Sequence, residues 1–492
     1  MTDLICYDSE STDLDVRHAQ ITQFASVRLN ERFDVVEEKE LLVKRLPYIV
    51  PSPEALRVTG VGAFELDRPE RISEYEASRI LERILTPRPG QNQVNLTFNG
   101  AGFDDELIRT TLFRNLRNPW FYSDRRIRRV DLLPVVQLVA AAEPDVIVIP
   151  QNESGKKSWK LEAICQANGI EIDAHDAMGD VRATIALGRL IMDRVPWAWN
   201  EALICGTPHK LEARLNEAMR SASPVWLFIH YGAPEIVPCA VLATDGKKKW
   251  ILLDLRHDDF PTETSAIAER LYTKDSPFRV IRSNAVPMLL SESEIARFRF
   301  DGDPAILCDK ALSIKGTQGL DIAARDALLA MAFNGENVTS EEKIYANFVS
   351  EADRARMNAF HRAKTWQERA EIQFADPRLN DFSARIIAEA ILAGRADDLD
   401  ETTSEDIFSR FSQIMARPHA GADAHWMTLT KARSLPDANA EFEHWATTVF
   451  GDRPAEAASI VVKDEPTDDV RTEDATTSTA KPDDSAQLSF GF

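Results

Sequence analysis

The segment LICYDSES, residues 4–11, joins an apolar run to two acidic residues, Asp8 and Glu10. An apolar run of this length predicts a buried β-strand. Side chains two residues apart lie on the same face of a strand, so the two carboxylates would lie side by side and repel each other. Either solvent screens these charges at a frayed strand end, or a cation holds them together.

The first 195 residues around this segment have the pattern of an α/β domain. ITQFASVRL (21–29) and QVNLTF (93–98) predict two further strands. The pair Asn99-Gly100 then predicts a turn. FDDELIRTTLFRNLRNP (103–119) predicts a helix with an acidic first turn, which favours the positive end of the helix dipole. Asn118-Pro119 would end that helix.

Two more helices are predicted before residue 195. SWKLEAICQANG (158–169) predicts a short helix, with Ser158 as N-cap and Gly169 just after the C-terminus. HDAMGDVRATIALGRLIMD (175–193) opens a longer one.

The pattern changes after residue 200. Residues 200–340 carry short strand-like segments separated by turn residues, which predicts a small sheet or barrel. Residues 341–453 are mostly helical in pattern. Residues 454–492 are rich in Thr, Asp, Glu, Pro and Ala, a composition that cannot bury a core and predicts disorder. The strand segments are VWLFIHYG (225–232), PCAVLAT (238–244) and KKWILLDL (248–255).

Composition narrows the class of protein. A chain of 492 residues is expected to form two to four domains. Its net charge of −21 argues against a uniformly basic nucleic-acid binder but allows a local basic groove. The sequence predicts neither a membrane span nor a signal peptide. The five cysteines are scattered without a Cys-x-x-Cys pair, which favours a reduced cytoplasm and argues against zinc knuckles.

Further acidic residues join Asp8 and Glu10 as candidates for a cation site. Asp104 follows the predicted strand and turn, and Asp180 lies five residues after His175 in HDAMGD. Taken alone, Asp104 and His175 would be ordinary helix-capping or surface residues. Together, four carboxylates from three elements suit two hard divalent cations about 4 Å apart, the arrangement that cleaves phosphodiesters. A neighbouring histidine can take the proton of the attacking water.

The order Asp-x-Glu, Phe-Asp after a strand and turn, then His-x4-Asp resembles the DEDDh exonucleases, whose catalytic domain has a ribonuclease-H-like fold. Further segments narrow the resemblance to the bacterial exodeoxyribonuclease I family. That family implies an α/β ribonuclease-H-like exonuclease domain (1–195), an SH3-like barrel (200–340) and a helical C-terminal domain (341–453) around a channel for single-stranded DNA. The segments are FNGAGFDDELIR, SWKLEAICQANGIE, AHDAMGDVRATIA, ERLYT, FVSEADRARM and FADPRL.

The resemblance also implies an activity and the residues that carry it out. The activity is 3′→5′ hydrolysis of single-stranded DNA to 5′-mononucleotides, with two Mg²⁺ ions, or Mn²⁺ as a substitute, in DNA repair and recombination. Asp8, Glu10, Asp104 and Asp180 match the family's metal ligands, with Glu10 also beside the substrate. His175 matches the general base.

Three residues match substrate-contacting positions of the family. Lys160, in SWKLE, stands where the family often has Arg, which keeps the charge but loses the bidentate fork. Arg109 matches an arginine near the DNA, and Trp120 could stack on a base. Solvated helix charges and core packing are the alternatives. The basic segment DRRIRRVD (124–131) is either a phosphate-tracking stretch or an ordinary solvated loop.

The last residues, AQLSFGF, resemble the short peptides with which bacterial replication proteins dock on the sliding clamp. A clamp-docking motif of Gln487, Leu488, Phe490 and Phe492 is one hypothesis, and an inert terminus is the alternative. The family implies a second partner, single-stranded DNA-binding protein, and a monomeric enzyme. The expected location is the bacterial cytoplasm, at the nucleoid.

Two other functions remain open at this point. A DEDDh exoribonuclease or proofreading-type nuclease would use the same acids, but the additional folded residues after 195 argue against it. A non-catalytic scaffold that binds ends of single-stranded DNA is the second, and the complete set of acids argues against that.

Overall fold

The computed structural model describes residues 2–171, 176–230, 234–271, 273–298, 303–330 and 339–451. The catalytic histidine predicted from the sequence, His175, lies outside these ranges, as do the four residues of the tail motif. Within the described ranges, no helix is long and apolar enough to cross a membrane.

A five-stranded mixed sheet forms the centre of the N-terminal part. Its strands are β1 (Thr2–Ser11), β2 (Ile21–Leu29), β3 (Val35–Leu42), β4 (Asn92–Thr97) and β5 (Ile127–Asp131). They lie in the order β3-β2-β1-β4-β5, with β1, β2 and β3 antiparallel and with β4 parallel to both β1 and β5. This arrangement confirms the α/β ribonuclease-H-like class that the sequence predicted.

Helices cover both faces of this sheet. Leu4 and Cys6 belong to the core on one face, and Ile5 and Tyr7 belong to the core on the other. Because side chains alternate along a strand, Asp8 and Glu10 continue the row of Leu4 and Cys6. The helices are α1 (Pro53–Thr59), α2 (Glu74–Leu85), α3 (Asp104–Arg114), α4 (Leu132–Ala142), α5 (Leu161–Ala167) and α6 (Ala177–Arg194), with 3₁₀ turns at Ala63–Asp67 and Phe121–Ser123.

Helix α3 ends four residues before the predicted stop at Asn118-Pro119. Asn115 caps the helix, and its side-chain amide donates hydrogen bonds to Glu74 (2.7 Å) and to the Thr111 carbonyl (2.8 Å). Leu116 then adopts a left-handed conformation, with φ of 56°. A tertiary hydrogen bond therefore ends this helix before the proline is reached.

Ser158 is not the N-cap of α5. The helix begins at Leu161, with Lys160 in the capping position. An isolated bridge pairs Gln151 with Lys157, and the Ser158 amide donates to the Pro150 carbonyl (2.8 Å). Ser158 is thus held in a local antiparallel turn. Gly169 has a φ of +70° just after the helix, as predicted.

A second, antiparallel sheet follows. Helices α7 (Pro196–Cys205) and α8 (Pro208–Ser221), which the sequence analysis did not predict, precede it. The strand order is β10-β6-β7-β8-β9. Further helices cover one face, whereas Trp226, Val237 and Leu252 extend the core of the first sheet on the other. The elements are β6 (Val225–Ile229), β7 (Glu235–Thr244), β8 (Lys249–Asp254), α9 (Thr264–Arg270), β9 (Phe278–Arg282), β10 (Met288–Leu290), α10 (Glu292–Ile295), α11 (Pro304–Lys315) and α12 (Leu320–Ala330).

The remaining described chain is helical, as the sequence indicated. Phe360 and Phe382 from this part share one apolar core with Tyr48 and Phe113 of the N-terminal part. Trp445 and Phe442 share another with Val50. The elements are a 3₁₀ turn at Glu342–Tyr345, α13 (Glu351–Arg362), α14 (Trp366–Ala370), α15 (Pro377–Leu392), α16 (Glu401–Met415), a 3₁₀ turn at Arg417–His419, α17 (Leu429–Ser434) and α18 (Ala440–Phe450).

Candidate active site

Three of the four predicted metal ligands meet at one end of the first sheet. Asp8 and Glu10 come from β1, and Asp180 comes from the first turn of α6. Each contributes a carboxylate oxygen, and these oxygens lie within 4.8 Å of one another. Oxygen ligands at this spacing suit a hard divalent cation.

The fourth predicted ligand, Asp104, lies beside this group. It is the first residue of α3, it is 5% exposed, and it accepts a hydrogen bond from the Ser9 hydroxyl. Its negative charge contributes to the raised pKa of Asp8. Three of the four acids therefore meet, and Asp104 lies near them with one carboxylate oxygen held by the Ser9 hydroxyl.

Burial and repulsion by neighbouring acids make Asp8 and Asp104 hard to ionise. Burial first, and then the charges of Asp104, Glu10 and Asp180, raise the pKa of Asp8 well above its usual range. Burial also raises the pKa of Asp104 to about 7, with Asp105 and Glu10 adding to the effect against the Ser9 hydrogen bond. Removing like charges from water without a counter-charge is costly, and a bound cation would offset that cost.

We expect cation binding here to weaken as the pH falls below about 7, since that is the pKa of Asp104. A proton must leave the carboxyl before the cation binds, so the affinity should fall by a factor approaching ten per pH unit for one proton. Calorimetric titration of Mn²⁺ between about pH 5.5 and 8 measures this dependence. An affinity that is independent of pH over that range would contradict the raised pKa values. Asp104→Asn should reduce the pH dependence without abolishing it, because the pKa of Asp8 is also raised.

A turn between β4 and α3 positions Asp104. The Asp131 carboxylate, at the end of β5, accepts hydrogen bonds from the amides of Asn99 (2.7 Å), Ala101 (3.2 Å) and Leu133 (3.2 Å). Asn99 adopts a φ of 60° within this turn. Asp131 thus fixes the backbone just before the ligand, a role that the sequence analysis missed. Asp131 ends β5, which is parallel to β4, the strand before Asp104. This position could have indicated that Asp131 lies near the turn.

Gly100 is required by the close packing of this turn. A Cβ added here would lie 2.6 Å from an Asp104 carboxylate oxygen and 2.7 Å from the Thr97 Cβ. Gly100→Ala should displace Asp104 and lower kcat about ten- to a hundredfold, with a smaller effect on KM. Steady-state kinetics on a labelled oligonucleotide measures both parameters.

Gly188→Ala in α6 is the matched control, because a Cβ there would meet its nearest neighbour, Leu96, at an ordinary 3.5 Å. Equal activity of the two alanine variants would show that the turn tolerates the added methyl group.

Comparison with known proteins finds similarity to exonucleases. The exonuclease family model (RNase T) matches residues 5–187. Exodeoxyribonuclease I of Escherichia coli is 29% identical over 360 residues, covering 68% of this chain and 74% of that protein. Its Haemophilus influenzae counterpart is 35% identical over 194 residues, covering 39% of this chain and 40% of that one. The chain is therefore similar to exodeoxyribonuclease I over about two thirds of its length.

Solved structures of exonuclease I share the family fold over most of the chain. The E. coli exonuclease I complex with a dA16 oligonucleotide has a TM-score of 0.71 at 24% identity, covering 84% of this chain and 91% of that one. A moderately thermophilic exonuclease I from Methylocaldum szegediense has a TM-score of 0.77 at 24% identity, covering 92% and 100% respectively. These similarities extend the fold assignment well beyond the exonuclease family match.

Asp176, the residue after the predicted general base, lies beside the acids. Asp176 follows His175 in the chain and precedes α6. It accepts a hydrogen bond from the Gln23 side-chain amide (2.5 Å), and Gln23 is the β2 residue paired with Glu10. The described chain therefore resumes close to the carboxylates immediately after His175.

The three family positions predicted to contact substrate have different surroundings. Lys160 is exposed at the start of α5. Arg109 is only 6% exposed; it donates to Glu106 (2.6 Å), and its guanidinium lies 4.6 Å from the Tyr122 ring centre. Arg109 is therefore mainly anchored within the protein. Its role toward DNA stays a prediction.

Trp120 belongs to an aromatic cluster that two parts of the chain build. Its ring lies 5.5 Å from the Tyr345 ring and 5.5 Å from the Phe348 ring, between ring centres. Phe348 is 81% exposed. The sequence analysis missed Tyr345 and Phe348, because they lie more than 200 residues from Trp120 in the chain.

Proposed function

We propose that this chain hydrolyses single-stranded DNA from the 3′ end and releases 5′-mononucleotides. The observation that carries the proposal is the convergence of Asp8, Glu10 and Asp180, with Asp104 beside them, in a fold shared with exonuclease I. The E. coli relative has been solved with dA16 and dT13 oligonucleotides, which supports single-stranded DNA as the substrate.

The four carboxylates are proposed to hold two Mg²⁺ ions, with Mn²⁺ as a substitute. Their oxygen chemistry and the raised pKa values of Asp8 and Asp104 both fit a doubly charged hard cation. When bound, such ions lower the pKa of water and neutralise charge on the phosphate oxygens. His175 is the proposed base that accepts the proton of the attacking water.

The protein's own side chains set the geometry of the reaction. Asp131 holds the turn before Asp104, and Ser9 orients the Asp104 carboxyl. In this proposal Glu10 also lies against the terminal nucleotide. Lys160, Arg109 and Trp120 are proposed to contact the strand, with Trp120 offering its ring to a base, a contact that tolerates any sequence.

The rest of the chain is proposed to guide the strand. Residues 1–195 would form the exonuclease domain, 200–340 an SH3-like domain and 341–453 a helical domain, with 454–492 as a tail. The antiparallel sheet from β6 to β10 and the helices from α13 onward support this division. The contacts of Trp120 with Tyr345 and Phe348 support a strand path between the first and third of these domains.

A degradation assay tests the function. A 5′-labelled single-stranded DNA oligonucleotide, with matched RNA and duplex DNA, is incubated with the protein and Mg²⁺ or with EDTA. We expect a ladder that shortens from the 3′ end of the single-stranded DNA in Mg²⁺, and intact substrate in EDTA. Faster cutting of RNA would favour the exoribonuclease alternative, and binding without cutting would favour a scaffold.

Two protein partners are proposed. One similar structure is described as an ExoI/SSB-Ct complex, which supports single-stranded DNA-binding protein as a partner here. Gln487, Leu488, Phe490 and Phe492 are proposed to dock on the sliding clamp, supported only by their spacing. Equal clamp capture by the full chain and by a chain ending at Asp484 would refute the second partner.

A monomer in the bacterial cytoplasm, at the nucleoid, is the proposed working state. The scattered free cysteines support a reducing compartment. Light scattering of the purified chain tests the monomer, and fluorescence microscopy of a tagged chain tests the location.

A further inference from the structure

A cavity of about 220 Å³ lies between the first sheet and the second. One wall comes from the segment before β5 and from Arg129 on that strand. The opposite wall comes from the start of α8 and from Lys248, Ser283 and Asn284 around the second sheet. Asp8, Glu10, Asp104, Asp180, Lys160, Arg109 and Trp120 do not line this cavity, whereas part of the basic segment 124–131 does.

The lining is rich in positive groups for a chain of net charge −21. Arg125, Arg129 and Lys248 line it, together with His209. Helix α8, 14 residues long, begins at the cavity, and its Thr207 N-cap makes no side-chain capping bond. The amides at a helix N-terminus carry partial positive charge, so they add to the attraction for an anion.

Two acids also line the cavity, and both have partners. Asp124 is bound by the Arg126 guanidinium (2.6 Å). Glu212 accepts hydrogen bonds from the Lys248 ammonium (2.7 Å) and from the Ser283 hydroxyl (2.6 Å). Lys248 therefore offsets Glu212 within the wall, and Arg125 and Arg129 carry the excess positive charge of the lining.

Arg129 provides the observation that points to a ligand. It is 8% exposed, and its guanidinium donates to Asp105 and to the Asn284 carbonyl (2.8 Å). Its Nε has no hydrogen-bond partner among the residues that the structure describes. A buried donor without a partner is costly, and an anion oxygen in the cavity would satisfy it.

We propose that this cavity binds a phosphate group, and that during catalysis it holds a backbone phosphate of the single-stranded DNA away from the cleaved bond. That the phosphate belongs to the DNA strand during catalysis rests on the proposed function. The cavity is coupled to the active site, because Arg129 binds Asp105, the residue after Asp104. A strand held here would thus be anchored through the same helix that carries a metal ligand.

Kinetics on long and short substrates test the proposal. Arg125→Ala and Lys248→Ala should each raise KM for a long dT oligonucleotide roughly three- to tenfold with unchanged kcat. The slope of log KM against log salt should fall by about 0.7 for the lost contact. A dT trinucleotide should show no change. Lys210→Ala is the matched control, since Lys210 is exposed next to His209 and does not line the cavity.

Two experiments distinguish a backbone phosphate of the DNA strand from the phosphate of the released nucleotide. Fluorescence anisotropy of a labelled dT oligonucleotide in EDTA measures strand binding without cleavage, and it should weaken in the two cavity variants. Competition by dAMP is the second experiment. If dAMP inhibits the wild type and the cavity variants resist it, while strand binding is unchanged, the cavity binds the released nucleotide.

Equal KM, salt slope and anisotropy for Arg125→Ala, Lys248→Ala and Lys210→Ala, with no dAMP competition, would overturn the proposal. Failure of the proposed function looks different. The wild type would then cut no single-stranded DNA, while the anisotropy difference between cavity and control variants would still report on the phosphate site.

Discussion

Replacement of Asp8 by asparagine is expected to lower kcat on single-stranded DNA about 10³-fold, with little change in DNA affinity in EDTA. The carboxylate is one of three whose oxygens lie within 4.8 Å of one another, and a neutral amide removes a charge that a divalent cation needs. Quenched-flow or gel kinetics on a labelled oligonucleotide measures the loss.

The same variant should be more heat-stable than the wild type without metal at about pH 8. A carboxyl whose pKa is raised in the folded state destabilises that state once the pH exceeds its unfolded value. Asparagine keeps the shape and removes the charge, so the melting temperature should rise. Glu38→Gln, an exposed acid on β3, is the control and should change neither property. A correctly folded Asp8→Asn with a lower melting temperature than the wild type would refute the account of repelling acids.

Replacement of His175 by alanine is expected to lower kcat about 10²- to 10⁴-fold, the usual contribution of a general base. In the wild type, kcat should rise with pH through the histidine's titration. Some pH dependence of kcat should remain in the variant, because Asp104 has a pKa of about 7. DNA affinity and the binding of Mn²⁺ should be retained, because the proposed role is proton transfer alone. Rate measurements across pH, with calorimetry of Mn²⁺, separate these effects.

His257→Ala is a suitable control, since His257 lies near Asp254 in the second sheet, far along the chain from the acids. If His175→Ala kept the wild-type kcat, His175 would not be the general base, and another group would have to activate the water. Loss of Mn²⁺ binding together with kcat would instead assign His175 a role in shaping the metal site.

The sequence predicted the parts of the site that depend on local pattern. Alternation places Asp8 and Glu10 on one face of a strand, and the structure has β1 there, with β2 at the predicted residues 21–29. The convergence of Asp180 came from the resemblance, since nothing local to α6 indicates what it packs against. Its meeting with β1 is a consequence of tertiary packing alone.

The basic segment 124–131 shows what pattern could not predict. The sequence analysis weighed a solvated loop against a phosphate-tracking stretch, yet residues 127–131 form β5, at one edge of the first sheet. The arginines make this strand hard to predict from the sequence, because charged residues are rarely buried without a partner. Arg129 is buried here since Asp105, on another element, is bonded to it.

Helix α3 connects the candidate active site with the C-terminal helices. It begins at Asp104, beside the acids, and near its other end Phe113 packs against Phe382 with ring centres 5.0 Å apart. A proposed metal ligand and a residue packed into the core of the C-terminal helices thus belong to one rigid rod. The C-terminal helices could not melt separately without exposing Phe113 and loosening that rod, so heat should unfold these two regions in a single cooperative transition. Heating that unfolds the C-terminal helices should therefore also disrupt the candidate active site.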